Sequence, residues 1–282
     1  MRSRNKKRLC AAALYMVLVL IAFVSLFPIL FCLSASLRTQ QDLTAHLFPF
    51  TIRSLVPETF TIQNYIAIFR EYGFLKPVWN TVFVTAVTIA GGCILNALAA
   101  FAYTCFDFKG RTVFYILVML SFMVPFESTA IPLYGIASRL KLVDTYAGMI
   151  LPAVADGMVI FLFIQFFKDI PLSLVEAATV DGASWPRIFC QIVVPMAKPV
   201  FITAGLMIFM SQWNSYLWPL LVARSKEIRT IQIAISAFSG ERTIQWTLIY
   251  TATTLSIILP IAVFIPLQKY YVEGITAGSV KG

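Results

Sequence analysis

The stretch Lys168–Lys198 reads KDIPLSLVEAATVDGASWPRIFCQIVVPMAK, and it does not match its surroundings. Before it, Thr145–Phe167 carries one charge, Asp156; after it, Pro199–Ala223 carries none. Each flanking block exceeds the roughly 20 residues that cross ~30 Å of hydrocarbon. A segment of this length between two membrane-length blocks needs an explanation, because structureless loops beyond about 12–15 residues are usually functional or disordered.

The segment has the grammar of folded helices. Pro171 is followed by SLVE, in which Ser173 can cap a helix while Glu176, three residues on, reaches back to the amide of the cap. Leu174, Ala177 and Ala178 then share one face at helical spacing. Gly182 supplies a stop, since glycine takes the left-handed conformation that closes helices. A second helix is expected from Ser184, with Pro186 in its first turn, Ile188 and Ile192 on one face and an end at Pro195. The prediction is a helical hairpin over 171–196, outside the bilayer. Membrane-surface helices tend to be rich in Lys and Arg on the polar face. The charges of Leu174–Asp181 are Glu176 and Asp181 alone, which favours protein over lipid as the surface the hairpin meets.

Outward from the hairpin, the 282-residue chain is 59% hydrophobic and 12% charged, against about 25% charged in soluble domains. Leu9–Leu37, Pro77–Phe106, Pro199–Ala223 and Thr243–Gln268 are uncharged, and Thr112–Ser138 and Thr145–Phe167 hold one acid each, Glu127 and Asp156. We therefore predict an all-α polytopic membrane protein, one integral domain over 1–282, with spans at about 9–33, 78–104, 112–135, 145–167, 199–222 and 246–268. The first block is longer than the 7–15 residues of a signal peptide core and reads as an uncleaved anchor.

The net charge of +9 reflects basic residues at span ends, an orientation signal rather than a nucleic-acid surface. Arg2, Arg4, Lys6, Lys7 and Arg8 put the amino terminus in the cytoplasm, and six spans return the carboxy terminus to the same side. Counted over all loops, that cluster included, Lys and Arg number 12 inside and 10 outside, a weak bias, so orientation rests mainly on the cluster. The five cysteines form no CxxC pair, and His46 is the single histidine, in a long external loop from Arg38 to Lys76. No disulfide framework, metal site or cofactor is expected.

EAATVDG, followed after nine residues by IVVP (Ile192–Pro195), resembles the EAA signature of permease subunits of bacterial ABC importers, with Val194 in place of a leucine. WNTVFVT (Trp79–Thr85), VPFESTAIPLY (Val124–Tyr134), LVDTYAGMILP (Leu142–Pro152), FLFIQFFKDIP (Phe161–Pro171), WNSYLWPL (Trp213–Leu220) and VEGITAGSVKG (Val272–Gly282) are similar to the carbohydrate-uptake, MalG-like branch. The resemblance implies a bacterial inner-membrane subunit that forms half of the path for a sugar or sugar-like solute. It also implies a second, MalF-like permease, two ATP-binding subunits and an extracytoplasmic solute-binding protein.

By the same resemblance, Glu176, Ala177, Ala178, Asp181 and Gly182 form the ATPase-coupling surface: the first short helix enters a groove on the ATPase, and Glu176 pairs with a basic residue there. The capping box is the competing role for Glu176, and one carboxylate can serve both. Ala177 and Ala178 suit close seating and also plain helix propensity. The terminal TAGSVKG resembles a tail directed at the ATPase, or is an ordinary frayed end.

The chain has no GxxxxGK[ST] phosphate loop, so it does not bind ATP by that device and is expected to be non-catalytic. Ionisable residues inside spans often line a pathway, which marks Asp156 and, nearer the outer face, Glu127. Gln212, Trp213 and Asn214 combine aromatic and amide groups suited to a sugar, although aromatic belts and helix-to-helix hydrogen bonds explain them equally. An ion-driven secondary transporter would require paired intramembrane carboxylates in inverted repeats, and a membrane enzyme would require clustered His, Asp or Glu. Neither pattern is apparent.

Overall fold

A computed structural model describes residues 2–47, 52–240 and 244–277. Apart from one antiparallel bridge between Ser239 and Ile244, the described residues form helices, turns and loops, as the apolar blocks require. Two compact units result: one from residues up to Phe74 together with Ile235–Ile258, the other from Leu75–Ala234 with the chain from Leu259 onward.

In the first unit, α1 (Arg2–Ser36) ends where Ser36 and Arg38 offer their carbonyls, and Asn64 Nδ2 donates to both at 2.9 and 2.7 Å. The expected loop from Arg38 to Lys76 is in large part helical within the described residues. It holds α2 (Gln40–Leu47), a 3₁₀ turn (Ile52–Ser54) and α3 (Gln63–Arg70). His46 is not isolated there. Its Nδ1 lies 3.0 Å from Asp42 Oδ1 and its Nε2 3.5 Å from Glu58 Oε1. Arg53 pairs with Glu58 at 3.0 Å, and buried Arg38 donates to the Arg53 carbonyl at 2.8 Å. Opposite charges around one imidazole make this a local clamp on the folded segment.

The second unit is built on α4 (Leu75–Cys105), a 31-residue helix long enough to cross a membrane alone. After it the apolar blocks break. The block expected at 112–135 is α5 (Arg111–Met123) and α6 (Phe126–Arg139), bent by 103°. Pro125 is the cause: proline pushes its predecessor out of the helical region, and Val124 is extended at φ −80°, ψ 120°. The block at 145–167 is α7 (Tyr146–Val154) and α8 (Gly157–Phe167), bent by 40°. The block at 199–222 separates into α11 (Lys198–Trp213) and α12 (Leu217–Val222) on either side of Asn214–Tyr216. Between these blocks lie α9 (Leu172–Val180) and α10 (Trp185–Met196), the latter with a π-helical turn over Phe189–Val193. The chain continues through α13 (Ile231–Ser236) into α14 (Trp246–Ala277), which begins in the first unit and ends in the second. Among the described residues three single helices have the length and composition to cross a membrane, and there are up to six crossings if each bent pair counts as one, the third pair being α10 with α11, bent by 83°.

The core of the second unit explains how the hairpin is held. Ala97, Ala100 and Phe101 of α4, Phe163, Ile164 and Phe167 of α8, and Val200, Ala204 and Ile208 of α11 are buried in one cluster. Val175 of α9 and Ile188, Phe189 and Val193 of α10 belong to the same cluster. Small residues let the helices approach closely: a Cβ on Gly92 would lie 2.9 Å from Ile208 Cδ1.

Candidate functional site

The hairpin turns where the glycine was expected to turn it. Gly182 has φ +78°, its N–H donates to the Thr179 carbonyl at 3.0 Å, and the Ala183 N–H donates to the Ala178 carbonyl at 2.9 Å. This is the Schellman closure, which needs a left-handed residue that glycine supplies without a Cβ penalty. Ser184 then occupies the cap position of α10, with Pro186 in the first turn.

The start of α9 differs from expectation. Pro171, at φ −60° and ψ 120°, is the cap residue, and no side chain caps the helix. The helix begins two residues earlier than the Ser173 reading requires, because proline pre-sets its own φ for a helix entry. Ser173 is therefore helical and the capping box does not form. Within the described residues the Glu176 side chain makes no hydrogen bond or ion pair, and the residue is exposed.

The packed face of α9 also differs. Val175 is buried and Ala178 half-buried, while Leu174 and Ala177 face outward. Leu172 is 55% exposed, Leu174 43% and Val180 87%. Exposed apolar side chains thus stand beside Glu176 and Asp181 on a knob anchored from behind. Trp185 fixes the base of α10, with its ring 4.4 Å from that of Phe106. The tail TAGSVKG lies outside the described residues from Gly278 onward.

A second feature was not visible in the sequence. The breaks between α5 and α6, α7 and α8, and α11 and α12 line one cavity of about 610 Å³. Its polar lining comes from Ser121, Thr129, Asp156, Ser211, Gln212 and Ser215. Asp156 caps α8, its Oδ1 accepting from the Met158 N–H at 2.8 Å and the Val159 N–H at 3.1 Å. Asn96, fully buried on α4, closes the same break: its Oδ1 accepts from the Asp156 N–H at 3.1 Å and its Nδ2 donates to the Val154 carbonyl at 2.9 Å. Gly157 lets α5 approach, since a Cβ there would collide with Ser121 Oγ and lie 2.9 Å from the Val118 carbonyl oxygen.

Of the solute-path candidates, Asp156 and Gln212 meet in this cavity. Trp213 is buried and stacks on Phe209 at 5.6 Å, and Asn214 turns back to donate to the Met210 carbonyl at 2.8 Å. Trp218, which the sequence reading did not single out, forms a wall of the cavity. Its Nε1 donates to the Gly148 carbonyl at 2.9 Å. The signal for the breaks was the Val-Pro at 124–125 and the Asp-Gly at 156–157, a helix-ending and a helix-starting pair inside apolar blocks.

A multi-pass helical chain with an exposed, anchored helical hairpin and broken helices around a polar cavity fits the architecture of a transport permease. The chain belongs to the family described as binding-protein-dependent transport system inner membrane component, whose model matches residues 92–276. It is a multi-pass, non-catalytic permease subunit of that family. It is 32% identical over 264 residues to the arabinooligosaccharides transport system permease protein AraQ of Halalkalibacterium halodurans, covering 93% of each chain. It is 30% identical over 281 residues to the lactose transport system permease protein LacG of Rhizobium radiobacter, covering 100% of each. To the sn-glycerol-3-phosphate transport system permease protein UgpE of Escherichia coli it is 34% identical over 267 residues, 92% of this chain and 93% of the relative. A solved structure, of a bacterial ABC transporter involved in the import of the acidic polysaccharide alginate, shares the fold. The TM-score is 0.83 at 23% identity, covering 94% of this chain and 98% of that one.

Proposed function

We propose that the chain forms half of the transmembrane path for a sugar or sugar-like solute in an ATP-driven importer, and that the hairpin over 171–196 is where it receives the work of a separate ATPase. In this reading it assembles with a second permease, two ATP-binding subunits and an extracytoplasmic solute-binding protein. Both termini and the hairpin are cytoplasmic, and the spans lie at about 9–33, 78–104, 112–135, 145–167, 199–222 and 246–268.

The observation that carries the reading is the hairpin's two-sided construction. Val175, Ile188, Phe189 and Val193 sit in the core shared by α4, α8 and α11. Leu172, Leu174, Val180, Glu176 and Asp181 face away from it. A push on the outer face is carried into the packed helices because close-packed interiors have low compressibility and transmit strain. Nucleotide-driven closure of the ATPase pair then biases the permease between two arrangements.

The test is Glu176→Lys in the assembled transporter, read as binding-protein-stimulated ATP hydrolysis and solute uptake in proteoliposomes, with retention of the ATPase by the permease. The reading requires loss of ATPase retention and uptake with unchanged thermal stability of the permease. Full uptake by Glu176→Lys with the ATPase retained would overturn the coupling role of the hairpin, and uptake by the lone chain under an ion gradient would overturn the ATP-driven reading in favour of a secondary transporter.

A further inference from the structure

We propose that the cavity at the three helix breaks is a binding subsite for an uncharged, polyhydroxylated solute, and that it disfavours anionic ones. This rests on the importer reading and names the chemistry of what passes.

Two helices begin at the cavity, α6 at Phe126 and α8 at Gly157. A helix amino terminus carries a partial positive charge of about half a unit and is a ready anion site. Here each is already supplied with a carboxylate by the chain itself. Asp156 accepts from the first amides of α8, and Glu127 stands in the first turn of α6. Among the described residues no Lys, Arg or His lines the cavity, and Asp156 is its only formal charge. An anion entering would find both helix ends compensated and a carboxylate facing it.

What the lining does offer is neutral hydrogen bonding beside flat apolar walls. Within the described residues the Gln212 side-chain amide makes no hydrogen bond, which leaves its donors and its acceptor for a ligand. Ser211, in the last turn of α11, and Ser215, in the break after it, line the same cavity. Trp218 and Phe126 form a wall, edge to face at 6.1 Å, and the Trp218 bond to the Gly148 carbonyl fixes its plane. A sugar ring presents a C–H face to an aromatic wall and hydroxyls to amide and hydroxyl groups around it. At about 610 Å³ the cavity lies within the roughly 300–1,000 Å³ of small-molecule sites. The names of the relatives span both neutral and phosphorylated solutes, so the lining, not the resemblance, carries the distinction.

The experiment is saturation-transfer NMR on the full chain in lipid nanodiscs. The neutral probes are lactose, maltose and arabinobiose; the anionic probes are sn-glycerol 3-phosphate, glucose 6-phosphate and digalacturonate. At least one neutral sugar should receive saturation, lost in Gln212→Ala, and the anions should bind at least about tenfold more weakly. Asp156→Asn keeps a capping oxygen while removing the charge, so it should raise anion binding and retain neutral binding. The proposal is overturned by an anion binding as well as the best neutral probe, by neutral saturation unchanged in Gln212→Ala, or by no saturation from any probe. Its fate separates from that of the coupling reading: Gln212→Ala should still retain the ATPase, and Glu176→Lys should still bind the sugar.

Discussion

Asn96 and Asp156 hold one helix break between them. The Asn96 side chain, wholly buried on α4, accepts from the Asp156 N–H and donates to the Val154 carbonyl, the two backbone groups that a break in an apolar block leaves without helical partners. Away from water such groups must be satisfied by the protein. Asn96→Ala removes both partners at once. We expect a loss of about 1–3 kcal/mol for each orphaned group, read as a lower midpoint of thermal unfolding in detergent, with loss of uptake. Unchanged stability would mean that the break does not depend on Asn96.

Gly182→Val forces a β-branched side chain into a left-handed position, at a cost of about 1–2 kcal/mol. Nothing lies within 4 Å of a Cβ at Gly182, so the effect is backbone strain and not a clash. The variant should insert normally and fail to retain the ATPase. Gly182→Asn, which tolerates the left-handed region better, should recover part of that retention in the same pull-down.

Because Glu176 caps nothing, Glu176→Gln and Glu176→Lys should leave the hairpin equally folded, as judged by protease resistance of 171–196. They should differ only in coupling: ATPase retention weakened by Gln and abolished by Lys. Equal loss of protease resistance in both would restore a structural role for the carboxylate.

Asp144 ties the turn before α7 to the segment after α12. Its Oδ1 accepts from the Ser225 N–H at 2.8 Å, and its own N–H donates to the Val222 carbonyl at 2.7 Å. The Ser225 amide is the main reason its carboxyl is held below the usual carboxylate range. A carboxyl with a lowered folded-state pKa stabilises fully above its ordinary value of 3.8 and loses that contribution as pH falls through the lowered value. Hydrogen exchange at the Ser225 amide should therefore accelerate only below about pH 4. Asp144→Asn keeps the accepting oxygen and should abolish that pH dependence. Asp144 also has φ +63°, a conformation that Asn shares.

The parts of this fold that were legible in the sequence are those governed by local chemistry. Uncharged length marked the membrane blocks, and Gly182 and Ser184-Trp185-Pro186 marked where one short helix stops and the next starts. Ser173 misled because a competing local signal, Pro171, lies two residues earlier and sets the helix entry. The interior breaks had local marks, Val124-Pro125 and Asp156-Gly157, but the groups that stabilise them do not lie nearby in the sequence. Apolar composition is the same on both sides of Ala155, and the group that makes a break affordable there, Asn96, is far away in sequence on another helix. The cavity is a tertiary consequence of three such breaks meeting, so Asp156 and Gln212 could be marked singly but Trp218 had no local mark. Likewise, the partners of His46 come from its own helix at Asp42 and from Glu58, beyond an intervening turn.

The coupling claim is tested most directly by disulfide trapping at Val180→Cys, with Cys190 replaced by serine, in the complete transporter carrying single cysteines around the ATPase groove. Val180 is 87% exposed at the tip of α9, next to the Gly182 turn, so the substitution does not disturb the anchored face. The account predicts a crosslink to the ATP-binding subunit whose yield changes when ATP is bound, and its disappearance in Glu176→Lys. A Val180→Cys thiol that stays freely reactive in the assembled transporter, with ATP-driven uptake intact, would contradict it.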